Sequence, residues 1–232
     1  MTPAPSGGRA CLRPSRSTTL SRRRAIEAVL AATLAMGCGV ARAGAYDDFF
    51  QALKVDNASQ VAFFLERGFD VNSRDEKGQP ALTLAMRDGT FKVAELLLKH
   101  PQLEVDAPNA NRETALMMAA LKGHTDWVQR LLDRGARLEK PGYTPLHYAA
   151  TGPQPEAVKL LLDRGALVNA RSPNGSTPLM MAARYGNEAS VDLLRERGAD
   201  VRLRSELGLS AGDFARSAGR VRLADQLDQA AR

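Results

Sequence analysis

One heptapeptide and its copies constrain this chain more than any other feature. Thr177-Pro-Leu-Met-Met-Ala-Ala183 has a counterpart in Thr144-Pro-Leu-His-Tyr-Ala-Ala150, 33 residues earlier, and another in Thr114-Ala-Leu-Met-Met-Ala-Ala120, 30 earlier still. Pro80-Ala-Leu-Thr-Leu-Ala-Met86 lies a further 34 residues back, and a degraded copy, Ser210-Ala-Gly-Asp-Phe-Ala-Arg216, lies 33 beyond Thr177. A second motif follows each in register: VAELLLKH at 93–100, WVQRLLDRGA at 127–136, AVKLLLDRGA at 157–166 and SVDLLRERGAD at 190–200, with an earlier VAFFLERGFDVN at 61–72. A period of this length means that one unit cannot bury its own apolar face, so neighbouring copies must stack into a shared core.

Within a unit the local chemistry is that of a helix pair. Thr177 can cap a helix through its hydroxyl, and Pro178 then occupies the first helical position, where no amide bond is lost. Leu179, Ala182 and Ala183 fall on one face at i, i+3 and i+4, and the alanines permit close helix approach. Gly186 and Gly198 supply the turns between and after the helices.

The two linked motifs resemble the ankyrin repeat, and the resemblance covers nearly all of residues 46–230. It implies an all-α fold, a solenoid of stacked helix pairs joined by short β-hairpin loops. The expected organisation is an N-terminal extension and signal peptide over 1–43, a capping half-repeat over 44–77, repeats at 78–110, 111–141, 142–174 and 175–207, and a C-terminal capping repeat over 208–232. Arg216, Arg220, Arg222, Asp225 and Asp228 among the apolar positions of the last unit suit a polar outer face, so the array is expected to be complete. Three departures predict an irregular surface around repeats two to four. The RLEKPG hairpin is three residues short, His100-Pro101-Gln102-Leu103 adds one residue, and Arg112 stands where Gly78, Gly142, Gly175 and Gly208 stand elsewhere.

The chain carries a formal charge of +6, but the excess is local. Residues 1–43 hold seven arginines against one acid, which leaves 25 bases and 25 acids in 44–232. A neutral body lacks the basic footprint that counterion release from phosphates requires, so no nucleic-acid partner is expected. Arg22-Arg23-Arg24, the uncharged run from Ala28 to Val40, and Ala41-Arg42-Ala43 read in order as the basic region, apolar region and cleavage pattern of a secretory signal peptide. Ala43-Gly44-Ala45 offers a second cleavage frame. Ser21-Arg22-Arg23 resembles the start of a twin-arginine signal, so either the general or the twin-arginine route is open. The expected location is the periplasm or exterior of a bacterium, with no membrane attachment after cleavage. Both cysteines, Cys11 and Cys38, fall in this segment, so the mature chain would hold no disulfide or thiolate site.

His147 lies between two tyrosines, yet the three histidines map to three different units with no H-x-x-x-H or H-E pairing. No Gly-rich phosphate loop or nucleophile elbow occurs. The resemblance assigns His147 a structural task, tying its helix start to the neighbouring hairpin. Met117-Met118, Met180-Met181 and Trp127 read as core packing. No catalytic residue, metal ligand or cofactor is expected.

Ankyrin arrays generally bind proteins through hairpin tips and the exposed positions of their first helices, which line a concave face. Matched residue by residue, this face comprises Gln79, Glu113, Tyr143, Ser176 and Leu209 before the heptapeptides. It continues with Arg87, Asp88, Leu121, Lys122, Thr151, Arg184 and Tyr185 after them. The tips add Arg74, Glu76, Asn109, Asn111, Arg171 and Asn174. Tyr143 and Tyr185 are the expected anchors, since interface energy concentrates in such side chains. Arg184, Arg87 and Arg171 could meet carboxylates of a partner. The resulting expectation is a monomeric, exported, non-enzymatic adaptor for another protein; the alternative is an envelope stress-protection protein holding labile clients.

Overall fold

The computed structural model describes residues 44–232, so the leader, its cleavage patterns and both cysteines lie outside the described residues. The first helix, α1, runs over 44–54 within the described residues. It is followed by α2 (Ala58–Glu66), α3 (Ala81–Asp88), α4 (Phe91–Lys99), α5 (Ala115–Lys122), α6 (Thr125–Asp133) and α7 (Pro145–Thr151). Then come α8 (Pro155–Asp163), α9 (Pro178–Tyr185), α10 (Glu188–Glu196), α11 (Ala211–Ser217) and α12 (Val221–Ala230). Among the described residues the only extended pairing is an isolated bridge between Arg74 and Pro80. The fold is an all-helical repeat solenoid.

The helices form two rows. α3, α5, α7, α9 and α11 pack side by side as first helices, while α2 and α4, and then α6, α8 and α10, contact one another as second helices. The heptapeptide sets the core between the rows. Leu116, Leu146 and Leu179, with Ala119, Ala149 and Ala182 one turn on, are fully buried on the first helices. Val93, Val128, Val158 and Val191 occupy one matching level of the second helices, and Leu97, Leu131, Leu161 and Leu194 the next, all with no exposure. Each short helix alone would be marginal in water; burial of these stripes is what holds it. Met117, Met118 and Met180 lie in the same core and Trp127 stacks on Phe91 at a centroid distance of 5.5 Å, as expected, whereas Met181 is only half-buried. In the first pair the ladder is aromatic, with Phe49 stacked on Phe69 at 4.3 Å.

Capping follows the heptapeptide. The Thr177 hydroxyl accepts the Met180 N–H at 3.3 Å with Pro178 at the first helical position, and Ser210 accepts the Asp213 N–H at 3.2 Å. The turns between the paired helices rest on the preceding repeat. A Cβ on Gly152 would lie 2.9 Å from the carbonyl oxygens of Ala120 and Leu121, and one on Gly186 only 2.1 Å from that of Ala150. In the last pair Gly219 takes that place, and Arg220 follows it as the residue before α12. Its guanidinium donates to the carbonyls of Ala182, Ala183 and Gly186 at 2.8–3.0 Å, supplying donors to the end of α9.

Candidate protein-interaction surface

Each hairpin tip precedes a first helix, and four tips are closed by the same pair of backbone bonds. Asp75, Asn109, Ser172 and Ser205 each donate their N–H to the carbonyl four residues on, and each accepts from the residue three on. That third residue has a left-handed backbone: Gly78 (φ 71°), Arg112 (φ 63°), Gly175 (φ 72°) and Gly208 (φ 75°). Arg112 therefore keeps the glycine conformation despite its Cβ, a strain of roughly 1–2 kcal/mol. Asp75 and Asn109 reinforce their tips through side-chain oxygens that accept two backbone N–H groups each. The short hairpin over 139–143 has no such closure. Its Glu139 carboxylate instead accepts the Leu167 N–H at 2.9 Å, and the Lys140 ammonium donates to the Arg112 carbonyl.

His147 joins one helix start to the next tip. Its Nδ1 accepts the Thr144 N–H at 3.1 Å, which leaves Nε2 as the protonated nitrogen donating to the Ser176 carbonyl at 3.0 Å. The ring is fully buried, and burial lowers its pKa below the usual histidine value. At the matching positions the Met180 sulfur accepts the Thr177 N–H at 3.4 Å and an Asp213 oxygen accepts the Ser210 N–H at 2.9 Å. The side chain changes and the bond to the capping residue persists. His147 is a brace, and His100 and His124 lie in other repeats.

The expected contact residues fall into three overlapping groups. Some are joined across repeats. The Asn109 amide donates to Gln79 at 3.1 Å and to Glu113 at 2.8 Å, and the Tyr148 hydroxyl donates to the other Glu113 oxygen at 2.9 Å. Tyr143 packs edge-on against Tyr148 and directs its hydroxyl to Asn174 at 3.4 Å. A hydrogen-bonded chain thus runs from Gln79 to Tyr148, and the ring contact carries it on to Tyr143 and Asn174. The repeat pattern carries no signal for Tyr148 as a surface residue; its burial and the Glu113 carboxylate both push its phenol pKa up.

A second group is turned inward or already occupied. Asn109 and Ser176 are buried, so they hold their tips rather than present side chains to solvent. Arg74 donates to the carbonyl of Pro108 at 2.5 Å, and Arg171 to that of Arg204 at 2.8 Å, each tying its tip to the next. Arg87 grips the adjacent Asp88 carboxylate at 2.7 Å and 2.9 Å. The Thr151 hydroxyl donates to the Tyr148 carbonyl at 2.7 Å.

The third group faces solvent. Glu76, Asn111, Lys122, Asn174 and Arg184 are exposed, Leu121 is half-buried, and Tyr185 is 58% exposed with the Arg184 guanidinium 5.0 Å from its ring centre. Leu207, at the tip before α11, is also exposed and has no signal in the repeat pattern.

Comparison with known proteins agrees with this geometry. The family model described as Ankyrin repeats (3 copies) matches residues 49–141 and 137–205. Ankyrin repeat and SAM domain-containing protein 6 of Mus musculus is 34% identical over 105 residues, which are 44% of this chain and 12% of that protein. An ankyrin repeat protein of Rickettsia felis is 26% identical over 131 residues, 54% of this chain and 43% of that one. The chain therefore spans less than half the length of either relative. Among solved structures, a chain from the complex of the Bd0816 predatory endopeptidase of Bdellovibrio bacteriovorus with immunity protein Bd3460 superposes with a TM-score of 0.67 at 26% identity. That match covers 78% of this chain and 97% of the other.

Proposed function

The chain belongs to the ankyrin-repeat family, and from that premise we propose that it is an exported, non-enzymatic adaptor that binds one partner protein through its first helices and hairpin tips. Ankyrin repeats are in general protein-interaction scaffolds. The observation that carries the reading is the exposed side of the first-helix row. Tyr143, Tyr148, Arg184 and Tyr185 present aromatic area and polar tips across adjacent repeats, the side-chain types in which binding energy concentrates. The likeness to a chain from an endopeptidase–immunity protein complex supports a protein partner. The arginine-rich leader with its two cleavage frames supports export to the periplasm or beyond.

The test is crosslinking and recovery of the tagged full chain from envelope extract of its source cells, beside the Tyr143→Ala/Arg184→Ala/Tyr185→Ala variant. One protein enriched only by the parent bait is the expected result. Equal recovery by both would reject this face, and many weak clients would favour the stress-protection role. The mass of the exported protein reports the cleavage, expected after Ala43 or Ala45.

A further inference from the structure

We infer that Arg112 and Lys140, on two adjacent irregular tips, form a receiving site for carboxylates of an acidic segment on the partner protein. This inference rests on the interaction surface proposed above and names its partner's chemistry.

The second-helix row sets the contrast. There, four arginines each reach an acid of the preceding repeat: Arg130 with Glu95, Arg164 with Asp133 at 2.9 Å, Arg197 with Asp163 at 2.8 Å and Arg222 with Glu188 at 2.8 Å. On the first helices and their tips, Arg112, Lys122, Lys140 and Arg184 have no carboxylate within ion-pair distance among the described residues. Glu113, the acid nearest in sequence to Arg112, is engaged by Asn109 and Tyr148.

Two features single out Arg112 and Lys140. Arg112 occupies a left-handed position that glycine fills in the other three closed tips, so an arginine is kept where the backbone disfavours any side chain. Lys140 donates its ammonium to the Arg112 backbone carbonyl, so the two cations belong to touching residues. Burial and then the Arg112 charge lower the Lys140 pKa, with Asp106 and Glu113 only partly opposing them. Like-charge crowding at a surface tip is offset by an arriving anion, and arginine's planar fork suits a carboxylate.

The probe is a fluorescein-labelled nonapeptide of alternating glutamate and tyrosine, titrated against the full chain beside its glutamine and lysine counterparts at low and high salt. The glutamate peptide should bind about fivefold or more tightly than the glutamine one, and salt should erase the difference. Arg112→Gly should abolish most of that preference while raising Tm, and Lys140→Gln should weaken it at unchanged Tm. The rise in Tm separates lost recognition from a damaged fold. Equal binding of the glutamate and glutamine peptides, or a preference that survives in both variants, overturns the inference. The envelope-extract recovery keeps the two readings apart. A partner lost by the Tyr143/Arg184/Tyr185 variant but retained by Arg112→Gly overturns this inference alone.

Discussion

The tips at 172–176 and 205–209 and the two at 109–113 and 139–143 perform the same task with different means. In the first pair a glycine takes the left-handed position, two backbone bonds close the turn, and the side chains are free to brace a neighbour, as Arg171 does. In the second pair one tip retains the turn with a strained arginine, and the other, three residues shorter, gives up the turn and relies on Glu139 and Lys140 reaching into adjacent repeats. The helices on either side keep their register in both regions. Stacking of the helix rows therefore fixes the repeat, and the tips are free to vary at modest cost.

The largest expected effect tests that division directly. Gly186→Ala would place a Cβ 2.1 Å from the Ala150 carbonyl oxygen, a backbone atom that cannot rotate away. Repeat spacing would have to change, and the loss of stability should be about 3 kcal/mol or more. Gly142→Ala, in the short tip, meets nothing within 4 Å and has only its φ of 109° against it, so it should cost about 1–2 kcal/mol. Urea unfolding of both variants measures the difference. Equal losses would mean that the tips constrain the stack as strongly as the helix contacts do.

His147 is the next largest. His147→Ala leaves the Thr144 N–H and the Ser176 carbonyl without the ring that joins them, a loss of about 2–3 kcal/mol. His147→Met copies residue 180, whose sulfur accepts the capping N–H, and should recover about half of that. The same residue predicts a pH dependence. Burial lowers its folded pKa below the unfolded value of about 6.5, so near that pH the unfolded chain binds the proton and the folded chain does not. The stabilisation is fully present above about pH 6.5 and is lost as pH falls toward the lowered folded pKa. His124, also lowered by burial and then by Lys122, adds a slope of the same sign, so His147→Met should flatten the profile without levelling it. Thermal unfolding across that range reads both effects.

What the sequence declares and what it withholds follow the same division. Residues that face the core repeat with the period, so the spacing of Leu146, Val158 and Leu161 is enough to announce the helix pair and its buried stripe. The brace at His147 is legible only through the family resemblance, since Thr83, Met117, Met180 and Asp213 stand at the matching positions. Tip and surface positions carry no such periodic constraint. Nothing in the spacing says that Asn109 turns inward to close its tip, or that Arg74 and Arg171 each serve the next tip's carbonyl instead of a partner's carboxylate. The Tyr148–Glu113 bond joins residues 35 apart, one on α7 and the other in the tip before α5, and it exists because the repeat spacing places them side by side. Arg112 is visible as an exception to the glycine pattern, but its backbone conformation is not.

A smaller effect, of opposite sign, sharpens the contrast between tips. Arg112→Gly restores the residue of the other closed tips at φ 63° and should raise stability by about 1 kcal/mol, seen as a higher Tm. The gain is set by two opposing contributions. Relief of the left-handed strain and of the like charge facing Lys140 favours glycine, while the greater freedom of glycine in the unfolded chain opposes it. A loss of stability would show that the Arg112 side chain holds the tip, and the likeness between this tip and its neighbours would fail.

Lys140→Gln should show the smallest change, within about 0.5 kcal/mol of the parent chain. The ammonium donates to the Arg112 carbonyl, and a bond of that kind in isolation would be worth about 1 kcal/mol or more. The same ammonium is partly desolvated and repelled by Arg112, which the lowered pKa records, and glutamine removes that charge while keeping an N–H donor on a shorter chain. The two contributions nearly cancel in the folded state. They do not cancel in recognition, because a carboxylate from outside meets the full charge of lysine and only a dipole from glutamine. A variant that folds as the parent does yet binds acidic peptide less tightly would place the purpose of the irregular tips in the partner rather than in the fold.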